Sequence, residues 1–254
     1  MTNSSDLSPF TPLVAAVRQG RVFEVLPSVM AEAFANCSFA LFLFRPDRAP
    51  ICLVDNLGEE NRKAVIDPYI DGMYLLDPLY HHAIRFPQDG LVTLDQLMPE
   101  GFRHSDYYRH YYASIALQDE LMLCYSMESV VLVLSLGFYG CRSPRGLKQQ
   151  LSHVQPLLGA FIKEAAGNLV LADVSESVPE LLGELEGQEA LSPREQQVAQ
   201  LILRGFAGKA IARQLNISPE TVKIHRRHLY RKLGVASQAE LFGRFLKSRG
   251  FAPL

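Results

Sequence analysis

The chain of 254 residues has no tryptophan, only four cysteines and no long apolar run. Its longest apolar stretches, 39–44 and 129–138, are about half of what a bilayer-spanning helix needs, which excludes such a helix on sequence grounds. Cys37, Cys52, Cys124 and Cys141 stand far apart and form no C-x-x-C pair, so neither a disulfide framework nor a thiolate metal site is expected. The stretch 1–12 is polar and proline-containing and lacks a basic region followed by an apolar core. No export signal is expected there, and a reducing cytoplasm is the simplest location. A G-x-S-x-G elbow, a glycine-rich phosphate loop and a Cys/His nucleophile pair are likewise missing, which removes the commonest catalytic motifs. His81, His82, His104 and His110 lie near Asp77 and Asp106 in sequence. Their spacings match no metal-ligand pattern, and each is expected to be a surface or hydrogen-bonded histidine. A metal-dependent enzyme fused to a DNA-binding domain is the alternative from a different class. No catalytic residue, metal or cofactor is expected.

An overall excess of one charge is lacking too, since the formal net charge is only −2. The average conceals a division. From residue 189 onward there are twelve Arg/Lys against four Asp/Glu, and thirteen against twenty-three before it. A basic module attached to an acidic body is the electrostatic footprint of a nucleic-acid binder. At 48% hydrophobic and 20% charged residues the body can bury a core of its own, which rules out a disordered tail.

Segments 39–44, 51–54, 91–94, 121–125 and 130–138 are short, β-prone and bounded by turn residues, and predict strands. Helical spacing of apolar residues predicts helices over 20–36, 61–69, 74–86 and 106–115. Consecutive strands late in this body suggest an antiparallel sheet flanked by helices, an α/β sandwich of the PAS or GAF kind. The last body element, 144–171, places Leu147, Leu151, Val154, Leu158, Phe161, Ala165 and Asn168 on a seam of alternating four and three spacing. That seam suits either a helix covering its own sheet or a dimer contact, and Pro156 should kink it. Residues 172–189, rich in Glu, Ser and Gly and carrying Pro179, predict an acidic linker. The expected division is thus a sensor and dimerisation domain over 1–171, a linker over 172–189 and an all-α domain over 190–254.

In that last domain, Ser192-Pro193-Arg194-Glu195 predicts a capped helix start with a reciprocal capping box. Val198, Leu201 and Ile202 form its buried stripe, and Gly205 is placed to end it. A short helix over 209–215 buries Ile211, Ala212 and Leu215; Asn216 and Ile217 make the turn, and Ser218-Pro219-Glu220 caps a third helix. So short a connection forces a steep crossing and lets the third helix protrude. At 100° per residue Val222, Leu229 and Leu233 face inward, whereas Lys223, Arg227 and Arg231, with Glu220 and Ile224 between them, share the other side. Such a side fits a major groove, where Lys and Arg meet guanine edges and apolar groups meet thymine methyls. Thr221, His225, His228 and Lys232 lie further round, toward phosphates. Gly234 ends the helix, and Ser237 caps a fourth packed through Leu241, Phe242 and Phe245.

Leu191-Ser-Pro-Arg-Glu, Lys209-Ala-Ile-Ala, Ile217-Ser-Pro-Glu-Thr-Val-Lys-Ile-His and Arg231-Lys-Leu-Gly-Val, taken in order, resemble the C-terminal domain of LuxR-type regulators, also called the FixJ or NarL type. The resemblance covers about 60 residues, by count of 191–254. It implies a four-helix domain that binds double-stranded DNA as a homodimer, with Lys223, Ile224 and Arg227 reaching bases and Lys209, Thr221 and His225 holding the backbone. RNA polymerase is a partner such a regulator would meet. The sequence departs from the usual pattern at Gly208 and Ala210, where Asn or Ser and Glu are common, which bears on the capping of the second helix.

Three inputs are compatible with the resemblance. A phosphoacceptor receiver would use Asp55 after a strand, yet needs acidic companions at the end of the first strand, and Asp6 stands alone. An acyl-homoserine-lactone domain resembles Tyr74-Leu-Leu-Asp77-Pro78, yet pairs its aspartate with tryptophans that this chain lacks. A PAS/GAF-like sensor of a different small organic effector, or of none, would draw its wall from a tyrosine-rich region. Its candidate ligand residues are Tyr69, Tyr74, Asp77, Tyr80, Phe86, Tyr107 and Tyr111; Phe102, Tyr108 and Tyr112 belong to the same region. Tyrosine supplies a flat apolar face with one polar tip.

Overall fold

Five segments rich in β-branched and aromatic residues pair into one antiparallel sheet: β1 (Ser38–Arg45), β2 (Arg48–Asp55), β3 (Gly90–Thr93), β4 (Leu117–Met127) and β5 (Val130–Tyr139), in the order β2-β1-β5-β4-β3. These come from a computed structural model that describes residues 7–34, 37–46, 48–105, 107–128, 130–170, 190–204 and 206–248, with backbone alone at 110, 168–170 and 246. The chain is divided into two compact units, the first comprising Met1–Ile70, Leu79–Leu97 and Ala116–Val178, the second Asp71–Pro78, Met98–Ile115 and Pro179–Leu254. The linker expected over 172–189 and the helix stop expected at Gly205 lie outside the described residues.

In the first unit the sheet is covered on both faces, which is why β1 reads as a continuous apolar run rather than an alternation. Phe39, Leu41, Leu43, Leu123, Tyr125, Leu132 and Leu134 meet α1 (Thr11–Arg18), α2 (Val22–Ala33) and α6 (Leu147–Val170) in one core. On the opposite face Phe42 and Phe44 meet α3 (Gly58–Ile70) and α4 (Pro78–Arg85), with ring centroids 5.2 Å from Tyr69 and 5.0 Å from Tyr80. All five strands and the helical flanks therefore match the α+β sandwich read from the pattern.

Along α6 the buried row is Leu147, Leu151, Val154, Leu158, Ile162 and Ala166. It leaves the expected seam after Leu158 because a helix of 3.6 residues per turn drifts from a strict 3.5 repeat. Phe161 and Ala165 are only partly buried, and the row packs on the helix's own sheet. Gly159 permits the approach, since a Cβ there would lie 2.6 Å from Tyr125 Cε1.

Other boundaries moved for local reasons. The helix expected over 74–86 is two elements, because Asp77, extended at φ −75°, ψ 119°, precedes a proline. A 3-10 turn at Met73–Leu76 comes first and α4 restarts with Pro78. The strand expected over 91–94 stops at Thr93, where Leu94 opens the short α5 (Leu94–Leu97). The helix expected over 106–115 is a π-helical turn at Tyr108–Tyr112. α1 escaped the periodicity reading altogether; its Leu13 and Ala16 are buried and Val17 packs partly buried against the same core.

The second unit holds α7 (Pro193–Leu203), α8 (Gly208–Leu215), α9 (Pro219–Leu233) and α10 (Gln238–Ser248), packed through Val198, Ile202, Ile211, Leu229, Leu241 and Phe245.

Candidate nucleic-acid interface

The capping box at the start of α7 is formed as the sequence suggests. Ser192 Oγ accepts from the Glu195 amide at 3.3 Å, and Glu195 Oε2 accepts from the Ser192 amide at 2.8 Å. Glu195 is buried and also receives Lys232 Nζ at 2.8 Å. Burial alone would raise its pKa, but Lys232 and the Ser192 donors outweigh it and hold the carboxyl at about 2. α8 starts at Ala207 without a side-chain cap, in keeping with the departure at Gly208. It ends on Asn216 in the left-handed region, φ 52°, ψ 49°, which turns the chain toward α9. Arg194 Nη2 donates to the Leu215 carbonyl at 2.8 Å and ties the start of α7 to this turn. Ser218 Oγ then accepts from the Thr221 amide at 3.0 Å, and Gly234 at φ 63° stops α9.

Between those caps α9 is two-sided. Val222, Leu229 and Leu233 are buried, and Lys223, Ile224, Arg227 and Arg231 are exposed on the other side. Ile224 leaves 42% of its surface in solvent, an unusual place for a large aliphatic side chain and a ready contact for a thymine methyl. Thr221 and His225 are half-buried at the edge of this side, and Lys209 is exposed on the first turn of α8. Lys223 Nζ rests 3.1 Å from Glu220 Oε2, an exposed pair of little strength that a phosphate or guanine can displace.

Lys232 is placed differently from the sequence reading. Its ammonium, 17% exposed, is held by Glu195 and by the Ala190 carbonyl at 3.1 Å, so it braces α9 against α7 instead of facing solvent. Its partner is 37 residues away, beyond the reach of a helical angle. The angle also hid Arg226, which sits beside Val222 on the wheel yet is exposed, its guanidinium 5.9 Å from the Tyr230 ring. A long stem that snorkels is the signal that would have found it.

The candidate effector residues fall in both units. In the first, Tyr69 and Tyr80 are buried against the sheet, and the Tyr80 hydroxyl donates to the Arg45 carbonyl at 3.0 Å. Phe86 lies just past the end of α4 with 52% of its surface in solvent, 5.4 Å from the Arg85 guanidinium. In the second unit Tyr74 and Asp77 are buried, and Tyr112 donates to Asp77 Oδ1 at 3.4 Å. Tyr107 and Tyr111 stack at 5.6 Å, and Phe102 stands edge-on to Tyr107 and Tyr112 at 5.9 and 5.7 Å. Among the described residues no three His, Cys, Asp or Glu side chains gather as a metal site.

Residues 189–244 match the family model described as bacterial regulatory proteins, luxR family. An HTH-type transcriptional regulator from the exeN 3' region of Aeromonas salmonicida is 32% identical over 183 residues, which cover 65% of this chain and 90% of that protein. The nitrate/nitrite response regulator NarL of Escherichia coli is 35% identical over 123 residues, 44% of this chain and 52% of NarL. Among solved structures, the VqsR LBD domain of Pseudomonas aeruginosa superposes with a TM-score of 0.53 at 20% identity, over 65% of this chain and 97% of that domain. That likeness is one of fold.

Proposed function

This chain belongs to the luxR family of bacterial regulatory proteins and is a DNA-binding transcription regulator, and from that premise we propose which residues read DNA and what controls them. The exposed basic side of α9, opposite a buried apolar one, carries the reading. Lys223, Ile224, Arg227 and Arg231 meet base edges in the major groove, while Lys209, Thr221 and His225 hold phosphates. Lys232 stays in place as the brace of Glu195. Two copies of the chain present two such helices to a pseudo-palindrome with half-sites about one helical turn apart, in the cytoplasm and within reach of RNA polymerase.

The body over 1–171 acts as the sensor, and 190–254 as the DNA-binding domain, across the acidic segment 172–189. The input is a small organic effector and not a phosphoryl group. Supporting this, every strand pair among the described residues is antiparallel, and the Asp55 carboxylate is engaged by Arg62 and by the Leu57 amide at 3.1 Å. Within the second unit Tyr74, Asp77, Tyr107 and Tyr111 supply flat faces and one buried carboxylate for an amphiphilic molecule that carries a hydrogen-bond donor.

Selection of duplexes from a random pool, followed by substitution, tests the DNA face. Arg227→Ala should cost about 1 to 3 kcal/mol on the selected site and relax one base position, whereas Lys209→Ala should weaken all duplexes alike. Equal effects on selected and random DNA would remove Arg227 from base recognition. For the effector, mass spectrometry of an organic extract of purified protein should find a small molecule that changes DNA affinity when added back. An acyl-homoserine lactone there would bring the chain back to that chemistry despite its lack of tryptophan. An empty protein that binds the selected site without additions would refute chemical control.

A further inference from the structure

The segments that carry the candidate effector residues of the second unit also touch its reading head. The Leu75 carbonyl accepts from Arg204 Nε at 3.3 Å, and Glu100 Oε2 lies 3.7 Å from Arg213 Nη2 on α8. Two open clefts of about 620 and 520 Å³ flank Glu100, and both are lined by Lys209 and Pro219; Lys223 and Arg226 line the second. A Cβ at Gly101 would stand 3.8 Å from the Ala207 Cβ, just ahead of α8. This loop tip has a firm base. Ser105 Oγ donates to the Phe102 carbonyl at 2.6 Å and accepts from the Tyr108 amide at 3.1 Å, and the Phe102 ring is wedged against Tyr107 and Tyr112. Through Tyr112 the same aromatic block reaches Asp77.

A DNA phosphate held by Lys209 and the carboxylate of Glu100 compete for one cleft. Like charge opposes the phosphate, and the loop occupies the approach to the start of α8 and α9. We infer that the Glu100–Gly101 loop is an autoinhibitory latch: Glu100 stands in for a backbone phosphate on Lys209 and Arg213, and effector binding at the Asp77–Tyr112 pair withdraws the 71–78 and 98–115 segments to free the DNA face. This rests on the DNA face proposed above. Arg213 and Glu100 are each about three-quarters exposed, so their pair shifts an equilibrium by only about two- to fivefold. A contact of that strength leaves the open form populated and responsive to a ligand.

The test uses the full chain and the tightest duplex from the random-pool selection, read by fluorescence anisotropy. Glu100→Gln should tighten binding about two- to fivefold without effector. Unchanged or weaker binding, in an assay where Arg227→Ala does weaken it, overturns the latch and leaves the DNA face standing. If Arg227→Ala also has no effect, it is the face that fails.

Discussion

Asn216 occupies the left-handed region between α8 and α9, where a short amide side chain is tolerated and a β-branched one is not. Asn216→Val should therefore cost about 1 to 2 kcal/mol in urea denaturation, and Asn216→Gly much less. Equal stabilities for the two would deny that the turn depends on this conformation. Glu195 yields a pH prediction. Its carboxyl is held below the ordinary 4.5, at about 2, so the stability it contributes is fully present above pH 4.5 and is lost as pH falls through that window. The loss should be about 2 kcal/mol, less than the full linkage value because Lys232 keeps some solvent contact. Denaturant midpoints at about pH 5.5 and about pH 3 should differ for the wild type and converge for Glu195→Gln. The cap half of this site was legible in Ser192-x-x-Glu195; its Lys232 half was not, because nothing local to residue 232 points to a partner 37 residues earlier.

At the scale of elements, α6 sets two effects of known size against each other. Alanine is a better helix former than glycine by about 1 kcal/mol. At Gly159, however, a Cβ would press on Tyr125 at 2.6 Å, and overpacking costs about 1 to 3 kcal/mol. Packing should win, so Gly159→Ala lowers the melting temperature; a rise would show that Tyr125 yields freely. α8 offers the opposite case. Ala207 has the extended cap geometry, φ −69°, ψ 152°, without a cap hydrogen bond, so Ala207→Ser should add about 0.5 to 1 kcal/mol to stability. The four C-terminal helices were legible because serine caps, prolines at the first turn and a 3.6-residue stripe lie within a few residues of one another. α1 and the π turn at Tyr108–Tyr112 were not, since the apolar residues of the first form one unbroken run, Leu13 to Val17, that shows no period, and in the second Tyr108 stacks on Tyr112 at 5.8 Å, which no local pattern announces.

For the whole molecule, the salt dependence of DNA binding reports how many copies of the basic face engage at once. Each phosphate contact contributes about 0.9 to the slope of log affinity against log salt. Lys209→Ala should flatten that slope by about two if a pair of chains binds, and by about one if a single chain does. The sequence by itself determined the strands of the sheet, the caps and turn of the C-terminal helices and the basic side of α9, because each is set by contiguous residues, through side-chain period, backbone preference or a hydrogen bond a few positions away. Tertiary structure alone decided the strand order β2-β1-β5-β4-β3, the capture of Lys232 by Glu195, the exposure of Phe86 and the position of Glu100 beside Lys209 and Arg213. These depend on residues far apart in the chain whose meeting is settled only when the core closes.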